Sequence, residues 1–296
     1  MDLAQNRVEI SGQDHFQPEE KPEWTAIVLA GERPGGDPLA GELDMPMKAL
    51  IRIQDRTLLD HVLLPLLEVS RIRRIIVLAQ DTETLSRADP LCLLGHDRVS
   101  LFRSGNGIAT SIVEIAGTSL APWPVLVTTA DNALLTRDRV ETFLDQTHDS
   151  DIAIGVGERK IVEQEYPATK RTWLKFSDGH FSGANLFAFS SPRCVDALNM
   201  WSMVESDRKK GLKLIASFGP ALFLRALTRT IAFSAAIERA SSRLGCKARP
   251  IVLDAEAPID VDKMADLELV EQILESRTGA SAKESLEAPP RAHMAV

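Results

Sequence analysis

The chain has 296 residues, 44% of them hydrophobic and 26% charged. That is ordinary globular composition, and the length suffices for one large α/β domain or two small ones. The formal net charge of −8 argues against non-specific nucleic-acid binding, which needs a basic footprint, but it leaves room for a locally basic pocket holding an anionic small molecule.

The N-terminal residues 1–22 are polar and are expected to be disordered. They carry no basic-then-apolar leader, and no run of ~18 apolar residues follows anywhere, so neither a secretory signal nor a transmembrane segment is expected. Residues 24–30 (WTAIVLA) read as a buried parallel strand. A Gly/Pro-rich loop follows. Thr57 can cap a helix running to residue 69, with Leu58, Leu59, Val62, Leu63, Leu66 and Leu67 on one face and a kink at Pro65. Residues 74–79 (RIIVLA) form a second buried strand, 82–88 a helix and 99–102 a short strand. Residues 107–117 form a helix with Ile108, Ile112 and Ile115 inward and Asn106 as its cap. A strand at 125–129 (VLVTT), a helix at 137–145 and a strand at 152–156 complete this half.

Such alternation predicts a Rossmann-like, doubly wound, mostly parallel α/β sheet with right-handed crossovers. The second half differs. Residues 171–176 and 184–189 read as strands, and a helical pattern covers 192–245, broken near Gly211 and at Gly219-Pro220. A strand at 250–253 and a helix at 264–274 follow, and 277–296 reads as a frayed tail. One domain over 23–276 is expected, with 205–246 as a helical insertion. Cys92, Cys194 and Cys246 are far apart and lack CxxC spacing, so they read as reduced thiols of a cytoplasmic protein.

Ligands of doubly wound sheets bind outside the carboxyl ends of the strands. That rule selects the loop after Ala30, the turn at residues 104–107, and Ala130-Asp131-Asn132. In the first loop, Gly31, Gly35, Gly36 and Gly41 let backbone N–H groups approach phosphate oxygens. Arg33 and Lys48 supply the positive charge a triphosphate needs. Neither a Walker A sequence nor a GxGxxG fingerprint is present.

The order Leu29-Ala30-Gly31, Arg33, Met47-Lys48-Ala49-Leu50 and Asp55-Arg56-Thr57-Leu58-Leu59 resembles the opening signature of the MobA-like nucleotidyltransferases. These include molybdenum-cofactor guanylyltransferase, methylerythritol-phosphate cytidylyltransferase and the sugar-phosphate nucleotidyltransferases. Glu32 stands where those proteins usually have a second glycine, Met47 replaces their usual proline, and the loop is longer. The resemblance implies the nucleotide-diphospho-sugar transferase (GT-A type) fold with a helical C-terminal region. It implies catalytic roles for Arg33 and Lys48. Nucleotide contacts fall to Leu29, Ala30, Gly31, Glu32, Ser104, Asn106, Ser111 and Asp131.

The resemblance also implies a Mg²⁺ cofactor on Asp131. A magnesium ion needs only one or two carboxylates beside phosphate and water. Ile259-Asp260-Val261-Asp262 resembles the late V-D-T-P-E-D-L element of the same proteins, which makes Asp262 the second metal ligand. Asp266 then lies in the first turn of the following helix. Strand periodicity puts Arg171, Trp173 and Lys175 on one face, where two cations and an aromatic could bind an acceptor phosphate. Asn185 resembles a position lining the acceptor site.

The expected activity is transfer of an NMP group from an NTP to a phosphorylated acceptor, small-molecule or lipid-linked, with release of pyrophosphate. The chain could work as a homodimer. Two rival readings remain open. One is a glycosyltransferase of the same fold, which would use an Asp-x-Asp after a central strand. The other is a non-catalytic nucleotide-binding protein, favoured by Glu32 in the phosphate loop.

Overall fold

A computed structural model describes residues 21–32, 35–89, 91–105, 107–206 and 228–287. The first strand, β1 (Trp24–Leu29), is apolar on both faces because helices cover both sides of it. After α1 (Pro38–Glu42) comes a small hairpin of β2 (Arg52–Ile53) and β3 (Arg56–Thr57) that the sequence pattern did not suggest. Helix α2 (Leu58–Glu68) then starts on a capping box: Asp60 N–H donates to Thr57 Oγ1 at 3.1 Å and Thr57 N–H to the Asp60 carboxylate at 2.8 Å. Pro65 lies inside this helix.

The order continues with β4 (Ile72–Ala79), α3 (Thr82–Arg87), β5 (Val99–Arg103), α4 (Ile108–Ile115), β6 (Val125–Thr129), α5 (Arg137–Asp145) and β7 (Ile152–Glu158). Next come α6 (Arg159–Glu165), β8 (Leu174–Phe176), β9 (Gly179–Phe189), α7 (Val195–Ser206), α8 (Phe233–Ser242), β10 (Ala248–Leu253) and α9 (Met264–Glu287).

Seven strands lie in the order β10-β7-β9-β6-β1-β4-β5, with β8 paired to β9 as an eighth. The pairs β1/β4, β1/β6, β4/β5 and β7/β10 are parallel, while β9 runs antiparallel between β6 and β7. The expected mostly parallel, doubly wound sheet is therefore what forms. The chain first adds strands on one side of β1 and then crosses to β6 on the other. The resulting switch point lies at the carboxyl ends of β1 and β6.

Alternation along β1 divides the core. Ala26 and Val28 face Leu59, Val62, Leu63 and Leu66 of α2 together with Val140 and Phe143 of α5. Ile27 faces the other way, toward Ile112 of α4 and Leu198 of α7. A smaller core sits beyond the strand ends. It joins Leu39 and Ala40 of α1, Ile51, Ile53, Leu58 and Leu134 to Ile259, Val261, Val270 and Ile273. Ile259 and Val261 are fully buried there, each worth about 1.5–3 kcal/mol. Their burial fixes the segment that carries Asp260 and Asp262 against the first loop.

Several boundaries differ from expectation. The strand expected at 171–176 begins only at Leu174, so Arg171, Trp173 and Lys175 do not share a strand face. Arg171 instead turns inward to an ion pair. Helix α4 has Gly107 at its N-cap position, with no side-chain cap, and Asn106 lies outside the described residues. Helix α9 continues past residue 274 to Glu287. Its later residues are mostly good helix formers, and Arg277 anchors it by donating to the Leu134 carbonyl at 3.2 Å and to Glu256. Residues 207–227 of the basic, apolar stretch between 205 and 246, including Arg208, Lys209, Lys210, Lys213, Phe218 and Leu222, lie outside the described residues.

Candidate active site

The first loop is fastened through Gln80, the residue after β4. Glu32 N–H donates to Gln80 Oε1 at 2.8 Å. The Gln80 amide nitrogen donates to the Glu32 carbonyl at 3.2 Å and to the Gly105 carbonyl at 3.4 Å. One side chain thus joins the loop after β1 to the turn after β5. A Cβ on Gly31 would lie 2.7 Å from Gln80 Oε1, so a side chain there would displace the amide that makes these bonds.

Glu32 has a structural task as well: its carboxylate accepts the Lys48 N–H at 3.1 Å. Lys48 opens a 3₁₀ turn (Lys48–Leu50) whose neighbours Met47, Ala49 and Leu50 are all buried. The turn therefore has its apolar side chains packed inside and its lysine directed at the carboxylates. Arg33 lies outside the described residues.

Asp131 follows β6 by two residues. The Thr129 hydroxyl donates to one of its oxygens, and Val261 N–H donates to its carbonyl at 3.2 Å. That backbone bond joins the segment after β6 to the segment before α9. Lys48 Nζ then donates to Asp131 Oδ2 at 2.6 Å and to Asp262 Oδ1 at 2.7 Å. Residues separated by 83 and 214 positions in the chain meet on one ammonium group.

Asp260 completes the cluster. Its carboxylate accepts from Arg171 Nη1 and, at 2.7 Å, from Asn185 Nδ2. Asn185 reaches it from a break in the β7/β9 register, where its backbone is left-handed at φ 48°. Asparagine tolerates that conformation better than most residues.

The charges are strongly coupled. Burial works against the charged form of Lys48, but Asp131 and Asp262 outweigh it, so its pKa rises above the ordinary lysine value. Asp260 is pushed up to about 6, first by burial and further by Asp131 and Asp262, against the pull of Arg171 and Lys48.

Oxygens of Asp131, Asp260 and Asp262 lie within 4.8 Å of one another. Hard carboxylate oxygens at this spacing suit Mg²⁺. Asp131 and Asp262 would be the residues to hold it, and both contact the Lys48 ammonium. The donor set fits the ion.

The other expected residues are dispersed. Leu29 ends β1, and Ala30 N–H continues the ladder to the Leu78 carbonyl at 2.9 Å. Ser104 follows β5, bonded through its N–H to the Ala79 carbonyl, and its hydroxyl is buried without a partner among the described residues. Ser111 is buried in α4 with its hydroxyl donating to the Gly107 carbonyl at 2.7 Å. Lys175 is exposed on β8. Gln80 and Thr129 were not anticipated. Gln80 stands at the carboxyl end of a parallel strand, so the rule that selected the other three loops could have found it.

A family model described as the MobA-like NTP transferase domain matches residues 26–219. The chain belongs to that family. Members of the MobA-like NTP transferase family are nucleotidyltransferases, so this chain is an enzyme of that class.

Solved structures agree on the fold. A hypothetical transferase from Thermus thermophilus superimposes with a TM-score of 0.67 at 24% identity, covering 83% of this chain and 99% of that one. A structure titled CMP:2-keto-3-deoxy-manno-octonic acid synthetase complexed with CTP gives 0.54 at 15% identity, with coverage of 86% and 99%. The 4-diphosphocytidyl-2C-methyl-D-erythritol synthase of Anaerococcus prevotii gives 0.50 at 11% identity, with coverage of 86% and 100%. A search of curated protein sequences finds no match. Among the described residues, no helix is long and apolar enough to cross a membrane.

Proposed function

We propose that this MobA-like enzyme moves an NMP group from an NTP to a phosphorylated acceptor in a Mg²⁺-dependent reaction that releases pyrophosphate. The observation that carries the reading is the Lys48 ammonium held between Asp131 and Asp262 at the sheet's switch point. A lysine and two carboxylates facing the crevice where nucleotides bind such sheets form the charge pattern that nucleotidyl transfer needs.

In this reading the backbone from Leu29 through Glu32 cradles the triphosphate. Lys48 and Arg33 neutralise charge developing on the α-phosphate and on the departing pyrophosphate. Ser104, Asn106 and Ser111 belong to the turn and helix that flank the nucleoside. Asp131 and Asp262 hold Mg²⁺, which when bound would supply additional phosphate neutralisation. Catalysis is positioning and charge stabilisation, with the acceptor phosphate attacking in line and no covalent enzyme intermediate.

Asn185 and Lys175 serve the acceptor side, where the acceptor is a phosphorylated small molecule or a lipid-linked phosphate. Buried, unpaired Cys194 and Cys246 accord with a cytoplasmic location, and assembly as a homodimer is compatible with the reading. Glu32, the residue that favoured a non-catalytic nucleotide binder, is accounted for by its bond to the Lys48 amide.

The test has two steps. Thermal shifts with the four NTPs and Mg²⁺ identify the base, and pyrophosphate release is then measured over a panel of phosphorylated acceptors. Asp131→Ala is expected to lower turnover by about 10²–10³-fold. Turnover near wild type in that variant would remove Asp131 from the mechanism. Release of a nucleoside diphosphate from an NDP-sugar, with no pyrophosphate from any NTP, would reassign the chain to glycosyl transfer.

A further inference from the structure

Arg171 has the charge expected of an acceptor-binding residue, but its surroundings give it another task. Its side chain is only 7% exposed. Nη1 donates to the Asp260 carboxylate. Nη2 donates to the Asp260 backbone carbonyl at 2.8 Å and reaches Asp266 Oδ1 at 3.4 Å. The Asp266 side chain is 5% exposed, and its other oxygen accepts the Asp262 N–H at 3.2 Å. One guanidinium therefore grips Asp260 by side chain and backbone and braces the carboxylate that holds the Asp262 amide.

Nε is buried without a partner among the described residues, and at 7% exposure the guanidinium offers a substrate phosphate little accessible surface. The backbone between Asp260 and Asp262 is meanwhile held from three sides, by Arg171, by Asp266 and by the Val261 N–H bond to Asp131. What stays exposed is the Asp262 side chain, at 58%, with its carboxylate turned to Lys48 beside Asp131. We infer that Arg171 is a positioning residue that sets the spacing of the Asp131/Asp262 pair for a divalent cation, not a residue that binds the acceptor.

The inference rests on the proposed metal role of that pair, and its test needs neither the acceptor nor turnover. Mn²⁺ binding is followed by loss of the free-ion EPR signal. It is measured in a Lys48→Met background, which removes the competing ammonium. Outer partners of metal ligands are typically worth about 10–100-fold in metal affinity. Adding Arg171→Met is expected to weaken Mn²⁺ binding by that factor.

Arg171→Lys keeps a cation but cannot span Asp260 and Asp266 together, so it is expected to recover only part of the affinity. It also serves if Arg171→Met does not fold. A purely structural role would lower the melting temperature and leave Mn²⁺ affinity unchanged in the folded protein. Unchanged or tighter Mn²⁺ binding in either Arg171 variant overturns the inference. If the Lys48→Met protein and its Asp131→Asn derivative bind Mn²⁺ equally, the metal reading itself fails.

Discussion

Lys48 is the residue on which the most constraints converge. Its ammonium has two carboxylate partners within 2.7 Å, the same two carboxylates proposed to hold the cation. A triphosphate offers the lysine other anionic partners, so nucleotide and cation should load together and each should be bound poorly alone. Two outcomes are expected of Lys48→Met. Turnover falls by about 10²–10³-fold, because a phosphate-neutralising charge is lost. Mn²⁺ affinity without nucleotide rises, because two carboxylates lose their resident cation. Equilibrium dialysis of Mn²⁺ against both proteins reads the second effect, and a decrease in affinity would show that the lysine and the ion do not compete.

The sequence singles out Lys48 and Asp131 through a glycine loop and a strand end, and Asp262 through the family resemblance, and the structure brings the three together. Gln80 bonds to partners 48 and 25 positions away, whose choice has no local signature. Arg171 was legible as a cation but not as a buried one, since burial depends on Asp260, 89 positions away.

The helices and strands were most legible where a local rule decided them. Helix α5 begins and ends where periodicity puts it, and α2 starts on its capping box. The misses were tertiary in origin. Residues 171–173 were drawn off the β9 edge by the Arg171 ion pair, and α9 was lengthened where Arg277 ties it to the loop after Asp131.

Helix α2 also carries a titratable group that bears on stability. His61 is buried, and its Nε2 lies 3.4 Å from the Ile53 carbonyl in the β2 strand. Burial depresses its pKa, aided by Arg56 and opposed by the Ile53 bond and nearby Asp60 and Asp55. The unfolded chain thus binds a proton more readily than the folded one. The associated stability is fully present above the unfolded histidine pKa of about 6.5 and is lost as pH falls through the depressed folded value. Urea midpoints should therefore drop from pH 7 to pH 5, and His61→Gln should flatten that slope. An unchanged slope in the variant would assign the acid sensitivity to other groups.

At the scale of the whole molecule, the site depends on two distant segments, the loop after β6 and the segment after β10, being locked together. A second arginine network, centred on Arg139 of α5, does this. The Arg139 side chain is 4% exposed and forms a fork with Asp254 at 2.7 and 2.6 Å, with Glu256 at 3.0 Å. It also donates to the Leu134 carbonyl, which Arg277 of α9 approaches as well. Helical spacing puts Arg139 on the face of Phe143, but no local rule reveals its carboxylate partners, which lie 115 and 117 positions away.

Removing Arg139 leaves Asp254 without its cation, while Glu256 keeps Arg277 and Tyr166, so Arg139→Met should destabilise the fold by about 1–2 kcal/mol at pH 7. The sign of its pH dependence follows from Asp254. Burial raises the Asp254 pKa, but the Arg139 bonds outweigh it and hold the carboxyl below its ordinary value. The stabilisation is therefore present above the unfolded aspartate pKa of about 3.9 and is lost as pH falls through the lowered folded value. Urea unfolding of wild type and Arg139→Met should show a gap that is wide at pH 7 and narrows toward pH 3. A gap that stays constant would mean the arginine acts through packing alone, and a gap that widens in acid would contradict the assigned ion pair.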